Sequence, residues 1–112
     1  MRRSAPSAVR KAAMEALATR KAAAPTNKGG TLVGVARARD LAHGRSLSVS
    51  TLKRMVSFFA RHEVDKEGKT WSRKGKGWQA WHLWGGDAGR EWATRELAKH
   101  DVAARVKREK KR

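Results

Sequence analysis

The sequence predicts an all-α fold: a small helical domain of three to four helices, with a basic Ala-rich helix before it and a basic tail after it. Three observations predict this. Apolar residues recur at three- and four-residue spacing over most of the chain. Glycine and proline cluster between those stretches. Ser, Thr or Asp stand where the helices would begin.

Residues 6–24 read as the first helix. Ala12, Ala13, Ala16, Ala18, Ala22, Ala23 and Ala24 are the best helix formers, and Ser7 is placed to cap the start. Its apolar stripe (Val9, Ala13, Ala16 and Leu17) is thin, which predicts an arm that firms up on a partner rather than a core element. Pro25 to Gly30 then break the helix and predict a linker. The expected organisation is therefore an arm and linker over residues 1–28, a domain over 29–100 and a basic tail over 101–112.

A second helix starts at Thr31, with Leu32, Val35, Ala36, Ala38 and Leu41-Ala42 broadly on one side and Gly44 as a left-handed residue past its end. Gly34 inside it costs roughly 1 kcal/mol against Ala and weakens its first turn. The third helix has the strongest pattern. Ser48 caps it, Leu47 and Leu52 form a hydrophobic staple, and Leu52, Met55, Val56, Phe59 and Ala60 recur at helical spacing to about Glu63. Arg54 and Arg61 fall away from that stripe.

Residues 64–77 lose periodicity, with Lys66, Lys69, Arg73, Lys74 and Lys76 among three glycines, and predict a mobile basic loop. From Trp78 a short helix runs to Gly85-Gly86, and Asp87 is placed to cap the next, which carries Trp92, Ala93, Leu97 and Val102 into the tail. The alternation Trp78, Ala80, His82, Trp84 also fits a strand, but the double glycine and the acidic cap favour helix–turn–helix.

Composition bounds the function. The 112 residues hold 27 Lys+Arg against 10 Asp+Glu, a net charge of +17, with no cysteine and 39% hydrophobic residues. Disulfides, thiolate nucleophiles and thiolate metal sites are excluded. No apolar run approaches a bilayer span, and no secretory signal is present, so a soluble intracellular protein is expected. Residues 1–28 carry +6, 29–63 carry +4, 64–92 carry +2 and 93–112 carry +5. Self-repulsion on this scale destabilises a compact state unless a polyanion neutralises it, and release of condensed counterions would supply much of the affinity for a nucleic acid.

Four of the five tryptophans lie between Trp71 and Trp84. Trp81, Trp84 and Trp92 are expected to supply the mass of a core short of Leu and Ile. Trp71 and Trp78 flank the basic loop and are the candidates for exposed stacking on bases. His62, Glu63 and Asp65 form the one cluster with catalytic or metal-binding residue types, but their spacing fits no zinc motif. A helix end with local ion pairs accounts for them as well. Gly85 to Arg90 is Gly-rich and opens a helix, yet it lacks the lysine and glycine spacing of a phosphate loop, so a tight interhelical turn is expected.

Arg54-Met-Val-Ser-Phe-Phe-Ala-Arg-His-Glu-Val-Asp65 and Leu83-Trp-Gly-Gly-Asp-Ala-Gly89, together with Ala36-Arg-Ala-Arg-Asp-Leu-Ala42, resemble a small module of tailed-phage and prophage proteins. The resemblance covers about residues 29–93. The module has no settled activity, and it commonly carries a Pro-Ser/Thr-Ala-Gly-Arg-Ile stretch before its Trp-Gly-Gly-Asp. Gly77, Ala80, Trp81, Leu83 and Trp84 fit that region, whereas Trp78, Gln79 and His82 depart from it. The resemblance implies a phage protein, in the host cytoplasm or the virion.

The function expected from charge is largely sequence-independent binding of DNA, RNA being open to the same chemistry, without cofactor, metal, catalysis or membrane. The candidate contacts are Arg37, Arg39, Lys53, Arg54, Lys69, Arg73, Lys74 and Lys76, with Trp71 and Trp78 for stacking and both basic ends assisting. Rival readings are a virion structural protein on a capsid or portal surface, a metal-dependent nuclease using Glu63 and Asp65, and an inhibitor that grips a host protein.

Overall fold

The computed structural model describes residues 3–110; Met1, Arg2, Lys111 and Arg112, which belong to the two basic ends, lie outside the described residues. Among the described residues five α-helices follow one another: α1 (Ser7–Ala22), α2 (Leu32–Ala42), α3 (Val49–His62), α4 (Lys76–Leu83) and α5 (Gly86–Lys110). Short 3-10 turns lie at Pro25–Asn27, Glu63–Glu67 and Trp71–Arg73. The fold is all-α, as the spacing predicts.

The first helix is not a detached arm. Val9, Ala13 and Ala16 are fully buried against α2, α4 and α5. An alanine stripe seats a helix weakly by area alone, but it lets the helix axes come close. Gly85 supplies the matching surface: a Cβ there would lie 2.7 Å from Val9 Cγ1, and its φ of +103° excludes other residues for a second reason. Pro6, not Ser7, occupies the cap position, and Pro6 O accepts from the Val9 and Arg10 amides at 3.1 Å.

The expected linker is equally tied down. Lys28 Nζ donates to Arg20 O at 2.6 Å and to Lys21 O at 3.1 Å, answering the open carbonyls at the end of α1. Gln79, the one buried polar side chain among the described residues, accepts from the Gly29 amide at 2.7 Å. It also donates to Asn27 O and Lys74 O, both at 3.1 Å. A satisfied buried amide of this kind holds the linker and the turn before α4 in register through three backbone groups. Residues 25–30 therefore join two parts of one core rather than mark a domain boundary.

In α2, Thr31 caps the start by accepting from Gly34 N at 3.2 Å. Gly34 is buried, and a Cβ there would meet Trp84 Nε1 at 3.2 Å, so the helix tolerates a poor helix former in order to pack on the indole. Val35, Ala38 and Leu41 form the buried face; Leu32, expected on it, is 80% exposed, and Ala36 is exposed as well. Gly44, with φ +65°, ends the helix: its amide donates to Leu41 O at 3.1 Å and that of Arg45 to Asp40 O at 3.0 Å. This is the paired hydrogen-bond pattern of a glycine-terminated helix.

The cap of α3 is as expected, with Ser48 Oγ accepting from Thr51 N at 3.1 Å and Leu47 and Leu52 buried beside it. Leu52, Met55, Phe58 and Phe59 are the buried stripe, while Ala60 faces solvent. Trp81 is fully buried at the centre, with Trp84 and Trp92 in the same core. The Trp81 ring lies edge-on to Phe59, with centroids 4.7 Å apart.

The stretch predicted as a mobile loop is built of 3-10 turns through residues 63–67 and 71–73. Asp87 does not cap α5: that helix begins at Gly86, and the carboxylate instead accepts from Trp81 Nε1 at 2.9 Å and from Lys66 Nζ at 2.8 Å. As far as Lys110 the tail is the continuation of α5, whose 25 residues give a helix of about 37 Å at 1.5 Å per residue, in a molecule whose described residues extend 58 Å. Val102, through which the last helix is expected to run into the tail, is 59% exposed on that extension. Among the described residues no helix is long and apolar enough to cross a membrane.

Candidate nucleic-acid interface

The cations of α3 follow from its amphipathic register. Burial of Leu52, Met55 and Phe59 turns Lys53, Arg54, Ser57 and Arg61 outward, and the start of α2 and the start of α4 stand opposite them. Between these three helices lies an open cleft of about 1010 Å³, at the upper end of the size range of ligand pockets. Lys53, Arg54, Arg61 and Lys76 rim it. None of the four has a carboxylate partner among the described residues; Arg61 Nη1 donates to Ser57 Oγ at 2.7 Å. Phe58, Ala80 and Trp84 give it an apolar floor, and Val33, 56% exposed, also lines it. One acid, Asp65, lines the cleft, and it lies 3.3 Å from His62 Nδ1.

Of the ten residues singled out in the sequence, the cleft gathers Lys53, Arg54 and Lys76. Arg37 is elsewhere: its guanidinium pairs with Asp40 at 3.1 Å, its side chain is only 14% exposed, and it sits 5.8 Å from the Trp84 ring centroid. That pairing removes it from the free cations. Arg39 is exposed on α2, outside the cleft, and Lys69 is exposed between the two 3-10 turns. Arg73 and Lys74 line a separate groove of about 820 Å³ against the end of α1, which Lys76 also touches. There Lys74 Nζ donates to Glu15 Oε1 at 2.7 Å and holds the Glu15 carboxyl below the ordinary range by that bond.

Neither of the two tryptophans expected to stack on bases is an exposed ring. Trp78 is 9% exposed, and His82 stacks on its ring at 4.1 Å. Trp71 is half-buried against Trp81 and His82, at 6.2 and 5.8 Å between centroids. For Trp78 the reason is helical spacing: in α4, which begins at Lys76 rather than Trp78, it shares a face with the fully buried Trp81 and with His82 and turns inward with them. His82 Nδ1 lies 2.8 Å from Trp78 O; a carbonyl only accepts, so Nδ1 carries the proton. Burial lowers the His82 pKa below its ordinary value, partly offset by that hydrogen bond.

His62, Glu63 and Asp65 do not converge. Glu63 pairs with Arg90, and Asp65 turns to His62. Among the described residues no group of three His, Asp or Glu side chains is arranged to hold a metal ion.

Sequence reasoning missed Arg61 as a contact, although it lies seven residues after Arg54 and hence on the same side of α3. It also missed that His62 extends the aromatic series lining the cleft. His62 stacks on Phe58 at 4.4 Å and 29°, and Phe58 stacks on Trp84 at 4.8 Å and 15°. The spacing of Phe58 and His62 by one helical turn is the signal that could have found the first of these contacts. Comparison of the chain with protein-family models, curated proteins and solved structures gave no match.

Proposed function

We propose that this chain binds DNA largely independently of sequence, with Lys53, Arg54, Arg61 and Lys76 neutralising backbone phosphates along the α2–α3–α4 cleft. The observation that supports this reading is their lack of carboxylate partners among the described residues, in a chain where Asp40, Glu63, Asp87 and Glu15 are all engaged elsewhere. Exposed Arg39, Lys69 and Arg73 add to the surrounding positive field. RNA presents the same phosphates. Phosphate contacts hold a protein on a strand without reading its bases. In the setting implied by the tailed-phage motifs, the polyanion is the phage genome, in the host cytoplasm or the virion.

Four phosphate contacts predict a slope of about −3.6 in log affinity against log salt. Affinity for a 20-base-pair duplex, measured by fluorescence anisotropy, should therefore fall about 10²-fold between 50 and 200 mM salt. An affinity that does not change over that range contradicts the reading.

A further inference from the structure

The His62 ring is the open end of a three-ring stack. Trp84 and Phe58 are both buried, and the small interplanar angles along Trp84, Phe58 and His62 keep the three rings close to parallel. Phe58 covers one face of the imidazole, yet the His62 side chain keeps 39% of its exposure and lines the cleft. No further ring stacks on it among the described residues. Arg54, Phe58, Arg61 and His62 follow one another at helical spacing, so the open ring and two unpaired guanidinium groups share one side of α3.

We propose that the cleft takes an unpaired nucleotide of a single strand, its base continuing the Trp84–Phe58–His62 stack and its flanking phosphates meeting Arg54, Arg61, Lys53 and Lys76. This deepens the phosphate-binding reading and rests on it. Every base has a face to stack, so the contact selects strandedness and not sequence. A paired base is already stacked on both sides and cannot enter without leaving the duplex. The cations give the cleft its polarity: a neutral aromatic ligand would leave four of them unanswered, whereas a nucleotide brings its own anion.

The test compares three labelled probes of equal length by anisotropy at one salt concentration: dT20, an abasic 20-mer with the same phosphates, and a 20-base-pair duplex. The native chain should bind dT20 about tenfold more tightly than the abasic strand, a gap in the range of one stacked base. His62→Ala should lower dT20 binding to the abasic level without changing abasic binding, and His62→Phe should keep the preference. Equal affinity of the native chain for dT20 and the abasic strand overturns the stacking proposal and leaves phosphate binding standing. A preference that survives His62→Ala overturns it too. Polyglutamate of matched charge competing as well as unlabelled dT20 makes an acidic polypeptide the occupant and overturns it, and failure to bind any oligonucleotide removes both readings.

Discussion

Two regions of this molecule combine aromatic rings with cations, and they use them oppositely. Around Trp78 and Trp81, each cation that lies over a ring is answered by an acid: Lys66 by Asp87, Lys74 by Glu15 and Arg90 by Glu63. The same three cations lie 4.6 to 5.9 Å from the centroids of Trp81 or Trp78, as ring-capping charges do. In the α2–α3–α4 cleft the rings are Phe58, Trp84 and His62, and Lys53, Arg54, Arg61 and Lys76 have no carboxylate partner among the described residues, the one acid of the lining, Asp65, being turned to His62. Local composition does not separate the two regions; the tryptophan-rich one looks more like a nucleic-acid platform on paper. Pairing separates them. A cation whose field is cancelled by a carboxylate contributes to packing, and one whose field is open is available to a phosphate.

The sharpest break between the regions is in stability. Trp81→Ala removes the fully buried indole on which Phe59 packs and which bonds Asp87, and should cost about 3–5 kcal/mol. In a small domain that is a large part of the total. Chemical denaturation should show a midpoint far below that of the native chain, whereas His62→Ala at the rim should stay within about 1 kcal/mol. Comparable losses for the two variants would erase the distinction between a packed and an open aromatic region.

A smaller effect separates them by pH. Burial holds His82 neutral in the folded chain, so the unfolded chain takes up the proton first. His82 therefore costs no stability well above pH 6.5 and destabilises the fold progressively as pH falls below 6.5 towards its lowered folded value. Asp87, whose carboxyl is held below its ordinary value chiefly by its bond to Lys66, acts only at more acidic pH: its contribution is complete above 3.8 and is lost below that. Urea midpoints at pH 7.5 and 5.5 should differ less in His82→Gln than in the native chain. An unchanged difference would place the titrating group elsewhere.

What could be read in the sequence is what local chemistry determines. The Thr31 and Ser48 caps, the Gly44 terminator and the buried stripe of α3 each depend on residues within one or two turns. The Arg37–Asp40 pair is equally local, three residues apart, and its loss from the phosphate contacts was open to the same reasoning. The docking of α1 was not, because a thin alanine stripe becomes a good interface only against a surface as close as Gly85. Lys74 and Glu15 are 59 residues apart, and no spacing rule joins them. The inward turn of Trp78 follows from its sharing a helical face with Trp81, a spacing that the alternation over residues 78–84 obscures because it also fits a strand. Charge totals predicted a class of partner; only the tertiary fold sorts the cations into answered and open.

The most direct measurement is the salt dependence of duplex affinity for three proteins: the native chain, the cleft variant K53A/R54A/R61A and the Trp-side variant K66A/K74A/R90A. Removing three phosphate contacts should make the log–log slope shallower by about 2.7 in the cleft variant. The Trp-side variant should keep the native slope. Equal slopes in the two variants, whether both native or both reduced, would contradict the account.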